Sequence, residues 1–488
     1  MPVISQAQEK WNSKHILVKN GQLKYVPDEK GNIIPDFSRV GYMENAKPIP
    51  QVSVVKTVSP SGNNDQLMLQ AAIDEVAKLA LDKNGFRGAI LLKKGTYLIN
   101  GSIQIGTDGI VLRGEAEETK LIAAGKGQRS LIRVTGNGQR KKIEGTERKI
   151  LDKYVPVGAT SFTVVSSEGF KKGDKIVVYR PATEKWIAAI KMNEIDRRDS
   201  TIRQWKPGEY DLHYERIITH IEKNKIFIDN PVVMAMEEQY GGGEIYKYSF
   251  DGRISKVGIE NLLCESEYSG DQDEDHGWDA VYFNSVEQSW VKNVTAKYFG
   301  YSCVNLGHQS KNITVSGCKY LEPKSQITGS RRYSFNNDGQ LNLVMNCFAS
   351  EGRHDFVTGA MVCGPNVFYN CSAEKTNADI GPHHRWATGT LFDNITTDGE
   401  INVQDRGNWG TGHGWAGANQ VIWNCTASRA AIQNPWTSAK NYVIGLNGEK
   451  YDGRLKGRPG AEWEGQNKPG LTPMSLYMAQ LKARSKQK

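Results

Sequence analysis

An asparagine set in a short apolar run returns again and again through the second half of this chain, and that rhythm leaves few folds open. It occurs in Lys-Asn-Val-Thr at Asn293, Lys-Asn-Ile-Thr at Asn312, Met-Asn-Cys at Asn346, Tyr-Asn-Cys at Asn370, Asp-Asn-Ile-Thr at Asn394 and Trp-Asn-Cys-Thr at Asn424. The last three steps are 24 (370 minus 346), 24 (394 minus 370) and 30 (424 minus 394) residues. A β-run, a turn asparagine and a return at this spacing is what a right-handed parallel β-helix requires. Each coil stacks on the last at about 4.8 Å, and like residues align as ladders. Five of the six asparagines sit in Asn-X-Ser/Thr, and a ladder position accounts for them better than glycosylation does.

The first half supplies a beginning for such a solenoid. Asp65 to Lys83 reads as an amphipathic helix with Leu67, Leu69, Ile73, Val76 and Leu79 apolar. Strand-like Ala89–Leu92, a turn at Lys94–Tyr97, Ile103–Ile105 and Ile110–Leu112 follow. From about Asp152 to Tyr248 the rhythm breaks. Phe162–Val165, Lys175–Tyr179, Arg216–Thr219 and Lys225–Ile228 read as antiparallel strands, with a polar stretch near Lys191 to Pro207. The expected plan is an N-terminal extension (1–50), the start of the β-helix with a capping helix (51–150) and a β-rich insertion (151–250). The main coils with the active groove (251–446) and a C-terminal arm and helix (447–488) complete it.

Composition narrows the function without choosing it. No apolar run approaches the roughly 18 residues of a membrane helix, and the mean hydropathy is −0.54. A formal charge of +8 over 488 residues fits a polyanionic partner. No known nucleic-acid-binding motif or long Lys/Arg block appears, which weakens a nucleic-acid reading. Seven cysteines without a Cys-X-X-Cys pair imply neither a disulfide framework nor a zinc site. Cys347, Cys371 and Cys425 read as buried small hydrophobes. The chain opens Met-Pro-Val-Ile-Ser-Gln without a secretory signal, and a trimmed leader on a secreted or periplasmic protein is the expectation.

The segment DFSRVGY at Asp36 to Tyr42, the helix, the KGTYLI and GIVLRG strands and the coil ladder together resemble the pectate-lyase-like superfamily of right-handed β-helices, from about Asp36 to Leu446 with the insertion excepted. Within that span RRYSF, GRHDFVTG, GPHHRWATGTLFDN and GTGHGWAGAN resemble bacterial β-helix proteins grouped with polysaccharide-active enzymes. The resemblance implies an all-β solenoid with a capping helix and an inserted antiparallel subdomain. Fold alone does not give the reaction.

The chemistry is concentrated between Arg331 and Trp415, and six of the nine histidines fall between His276 and His413. Imidazole, guanidinium and indole gathered this way suit an acidic sugar polymer. His383 and His413 each lie 11 residues before a ladder asparagine, Arg353 lies 17 before and Arg406 lies 18 before. Imidazoles are thus expected along one edge of a groove and guanidiniums along another. Such a groove suits β-elimination on a uronic acid, in which cations quench the carboxylate while a base takes the C5 proton and an acid protonates the leaving oxygen. The expected roles are carboxylate binding for Arg353 and Arg385, base for His384 or His354, and acid for Tyr333 or the remaining histidine. Arg332, His383, Arg406 and His413 are expected to bind substrate, and Trp386 and Trp415 to stack on sugar rings. Arg331 and Arg332 should split, one guanidinium in the groove and one holding a loop. Trp423, beside Asn424, should pack.

The acidic run from Asp271 to His276 resembles a calcium loop, with Asp273, Glu274 and Asp275 as candidate ligands, although His276 stands where such loops need glycine. No cofactor is otherwise required. A glycoside hydrolase would need paired carboxylic acids, for which Asp355, Asp393 and Asp405 are candidates. A non-catalytic, tailspike-like glycan binder is the third class. The expected partner is an acidic polysaccharide or oligosaccharide, with no nucleic acid and no membrane span, and a monomer suffices.

Overall fold

The computed structural model describes residues 9–19 and 22–486. The opening six residues, on which the leader expectation rests, lie outside that range. The chain forms a right-handed parallel β-helix, its coils carried by one continuous set of 29 parallel strands. An inner file shows why these residues wind this way. Ile259, Val291, Val315, Val344, Phe368, Phe392, Ile422 and Val443 pair in unbroken register through eight successive coils. All are buried, and the Phe368 and Phe392 rings stack at 5.3 Å. Burial stabilises each by roughly 1.5–3 kcal/mol, so a one-residue slip would expose the whole file.

The asparagine ladder sits where the chain turns between two sheets in the left-handed conformation. Asn261, Asn293, Asn346, Asn370, Asn394 and Asn424 have φ between 50° and 56°, a region asparagine tolerates better than most residues. Their amides bridge adjacent coils, from Asn370 to Asn346 at 2.7 Å and from Asn424 to Asn394 at 2.8 Å. Asn312 departs from the expected ladder. It occupies the preceding corner and donates to the Gly41 carbonyl at 3.3 Å, and Gly317 (φ 64°) takes the ladder place in that coil. Spacing located the motif but not the corner. All seven cysteines are free and buried.

The capping helix spans Gln66–Val76 and lays Leu69, Ala72, Ile73 and Val76 over the first coil. It stops short of Lys83, and Leu67 (79%), Leu79 and Leu81 are exposed, because only one turn-spaced stripe finds a coil to cover. The insertion forms the expected antiparallel sheet, in the order Lys141–Lys142, Glu244–Ser249, Lys175–Arg180, Leu212–Glu222, Lys225–Ile228 and Ser161–Thr163. Its strand pairing begins at Lys141. Glu215, fully buried, fastens it to the coils through Arg253 (2.7 Å) and Lys311 (3.5 Å), and accepts from the Tyr248 hydroxyl of its own sheet (2.9 Å). Burial opposes the Glu215 charge, but Arg253 and Lys311 hold its carboxyl well below the usual range.

The terminal arms cover an outer file of Leu343, Val367, Leu391, Val421 and Tyr442 with Ile34, Phe37, Val40, Leu476 and Tyr477. The C-terminal helix, Leu476–Ser485, is capped by the Ser475 hydroxyl, which accepts from the Met478 N–H at 3.1 Å. Among the described residues no helix is long and apolar enough to cross a membrane.

Candidate active site

Successive coils bring four imidazoles together. Tyr333 and His354 precede the strands Phe335–Asn337 and Phe356–Thr358, His383 and His384 follow Asp379–Pro382, and His413 lies in the excursion between Glu400–Val403 and Gly417–Ala418. Ring centroids are 4.5 Å apart for His354 and His383, 5.0 Å for His383 and His384, 5.2 Å for His383 and His413, and 4.8 Å for His384 and His413. Tyr333 meets His354 at 4.9 Å and His383 at 5.4 Å. The equal phase of His383 and His413 in the sequence corresponds to real contact. The guanidiniums do not keep a separate edge, because Arg406 pairs with Asp379, whose carboxylate also meets His354 at 3.3 Å.

Burial leaves these rings neutral. It lowers His354 to about 4, against the pull of Asp379, and lowers His384 to about 4, aided by the Arg385 and Arg406 charges. It brings His413 to about 3 with help from His384, and pushes His383 far below its ordinary value with help from His354. His354 turns Nδ1 to the Asp379 carbonyl at 3.0 Å. The Nδ1 atoms of His383, His384 and His413 are buried without partners. Tyr333 is raised by burial, opposed by the adjacent Arg353 guanidinium. Arg353 is half-buried, and its Nη1 has no partner. Arg385 donates to the Thr411 hydroxyl and leaves Nε unpartnered. Arg385 and Trp386 adopt φ of 58° and 64°, a pair of left-handed non-glycine residues that turns Arg385 and Trp386 in different directions.

Several expected roles are corrected. Trp386 and Trp415 are fully buried and have no face to offer a sugar. They form a joint core with the insertion, Trp386 edge-on to Trp186 at 4.8 Å and Trp415 donating to the Ile190 carbonyl at 2.9 Å. Arg332 is buried and donates to the Ser325 carbonyl at 2.6 Å, so it holds a loop. Arg331 pairs with Glu274 at 2.6 Å, so the expected split, with one of the two guanidiniums in the groove, does not occur. Arg406 is buried and ion-paired with Asp379, which places it behind the imidazoles. Trp423 packs, as its position implied.

The carboxylates expected for paired-acid hydrolysis serve the scaffold. Asp393 accepts from the Ser475 hydroxyl and the Tyr477 N–H, both at 2.7 Å, and anchors the C-terminal helix. Asp405 pairs with Arg458 at 2.8 Å. Asp355 is buried, accepts from the Ser334 hydroxyl at 2.7 Å and is pushed up to about 7 by burial. The calcium candidates are also engaged. Asp273 accepts from Ser269 and Asp275 N–H groups, Glu274 binds Arg331, and Asp275 accepts from Gly127 N–H. Among the described residues no group of three acids, histidines or cysteines is placed to hold a metal ion.

Residue reasoning missed Asp379, which joins His354 to Arg406, and an aromatic file in which Trp278, Tyr301 and Tyr333 stack at 6.5 and 5.1 Å. It also missed Asn336 and Asp338, three and five residues after Tyr333 in RRYSFNND, where proximity to a basic cluster was the available signal.

No protein-family profile matches the chain, and no curated protein is similar to it in sequence. Similar solved structures include the tailspike protein of Pseudomonas phage LKA1 (13% identity over 79% of this chain and 69% of that one, TM-score 0.35). They also include an alginate lyase from a Paenibacillus species (10% identity, 85% and 100%, TM-score 0.39). A tailspike of E. coli bacteriophage HK620, in complex with a pentasaccharide, matches at 11% identity over 80% and 55%, with TM-score 0.42.

Proposed function

We propose that the protein is a polysaccharide lyase acting on an acidic, uronate-containing glycan by β-elimination. The contiguous set of neutral imidazoles beside Tyr333 and Arg353, whose Nη1 has no partner, carries this reading. Arg353, with Arg385, binds the C6 carboxylate and lowers the cost of charge developing at C5. His384, already unprotonated at neutral pH, takes the C5 proton on Nε2. The C–H electron pair forms the C4=C5 double bond, the C4–O bond breaks, and the Tyr333 O–H protonates the departing oxygen. A bound carboxylate raises the proton affinity of the nearby imidazole, so the base strengthens when substrate is present. A polymer of this kind is met outside the cytoplasm, consistent with secretion or a periplasmic site.

Hydrolysis is less favoured because Asp355, Asp393 and Asp405 are buried and tied to their own chain. The test is a panel of pectate, alginate, glucuronan, glycosaminoglycans and ulvan. New ultraviolet absorbance from the double bond supports the lyase. Reducing ends without absorbance overturn it in favour of a hydrolase, and binding alone leaves a glycan-binding protein.

A further inference from the structure

Beside the imidazoles the coil surface changes chemistry. Leu306 pairs with Asn337, and Thr358 pairs with Pro382. Continuing that register by one residue puts Asn284, Gly307, Asp338, Gly359 and His383 in one file along the solenoid axis. The two glycines keep its floor low, since a Cβ on Gly307 would come within 2.7 Å of Asn284 Oδ1 and one on Gly359 within 2.4 Å of Asp338 Oδ1. Over this floor lies a hollow of about 410 Å³, walled by Tyr282, Tyr301, Asn305 and Asn336. Tyr301, on its wall, stacks on Tyr333 at 5.1 Å, which sets the hollow beside the imidazole cluster.

Its electrostatics are the reverse of the cluster's. No lysine or arginine lines it, and Asp338 is its one carboxylate, with His308 in the lining and the Arg133 guanidinium over the Tyr282 ring at 5.3 Å. That carboxylate is held in place by the Gly359 N–H at 2.9 Å and the Asn336 amide at 3.0 Å. The Asn336 amide also donates to Asn305 at 3.0 Å. Amides, phenols and a fixed acceptor suit hydroxyls, while a second uronate here would meet a like charge. Tyr333, the proposed donor to the leaving oxygen, shares a coil with Asp338 through the strand Phe335–Asn337, so the hollow lies on the side of the sugar that carries that oxygen, next to the uronate.

We infer that this hollow is the subsite for an uncharged sugar adjoining the uronate, so the substrate is a heteropolysaccharide in which uronate and neutral sugar are neighbours, not a homopolymer of uronates. The inference rests on the lyase reading for the reaction but not for the binding. The test measures double-bond formation by the full chain on a homopolyuronate (alginate, pectate or glucuronan) and on unsulfated chondroitin, in which uronate alternates with an uncharged N-acetylhexosamine. The alternating glycan should react at least about tenfold faster, and Asp338→Asn should narrow that ratio by raising the homopolymer rate. Asn305→Lys, which places a cation in the hollow while leaving Asp338 intact, should shift the ratio the same way. Equal or faster reaction of the homopolymer, or ratios unmoved by both variants, overturns the inference. If no polymer yields a double bond, the lyase reading fails on its own. Retardation in gels cast with each glycan then decides the subsite, with equal retardation by homopolymer and alternating polymer overturning it.

Discussion

The two corners of the same coils are built to opposite rules. At the ladder corner each asparagine amide has a partner on the coil beside it or on the C-terminal arm, as Asn424 does with Asn394 and the Met474 carbonyl. At the imidazole corner polar atoms are buried and left over: Arg353 Nη1, His354 Nε2, Asp355 Oδ2, Arg406 Nε and the Nδ1 atoms of three histidines. An unsatisfied buried polar atom costs about 1–3 kcal/mol, so the second corner is sustained by the first and by the inner apolar file. Regular repetition supplies stability, and departures from it hold the reactive groups.

Substitutions on each corner can break this division. His384→Ala should lower double-bond formation by about 10²–10⁴-fold while leaving the melting temperature nearly unchanged, and undiminished activity would remove the assigned base. Wild-type activity should also persist below neutral pH, because His384 must be titrated near 4 before the unliganded protein loses the proposed base. Trp386→Ala should destabilise by about 3–5 kcal/mol in denaturant melts, since the indole joins the insertion to the coils. A small change there would separate the two cores.

Asn370→Ala should cost about 1–2 kcal/mol, because alanine is strained at φ 50° and the bond to Asn346 is lost. Asn370→Gly should recover much of that, and activity should survive both. An activity loss exceeding the stability loss would show that the corners are coupled. A pH-dependent effect concerns Asp355. Its folded-state carboxyl lies at about 7 against an ordinary 3.8, so its contribution to stability is full below about 4 and is lost as pH rises through 7. Asp355→Asn should therefore gain in melting temperature relative to wild type between pH 4 and pH 8, and a constant difference would contradict the buried neutral acid. The lowered histidines act with the opposite sign, costing stability as pH falls below 6.5.

Where the chain repeats itself, neighbouring coils impose the same demand on every turn, and one-dimensional spacing suffices to read it. Asn346, Asn370, Asn394 and Asn424 announced the solenoid in this way, and the shared phase of His383 and His413 announced their contact. Where the chain leaves the repeat, neighbours come from far away in sequence. Trp386 and Trp415 look like sugar platforms until the insertion, some two hundred residues upstream, packs on them through Trp186 and Ile190. Arg406 looks free until Asp379 claims it.

The amino-acid sequence by itself determined the coil, its inner apolar file, the antiparallel insertion and the clustering of imidazoles, because period and alternation are local properties that a backbone must obey. Only the tertiary structure decided which indoles and guanidiniums face the groove and which carboxyls are spent on the scaffold. Burial and charge pairing depend on what every other segment brings alongside, and no spacing within one segment encodes that.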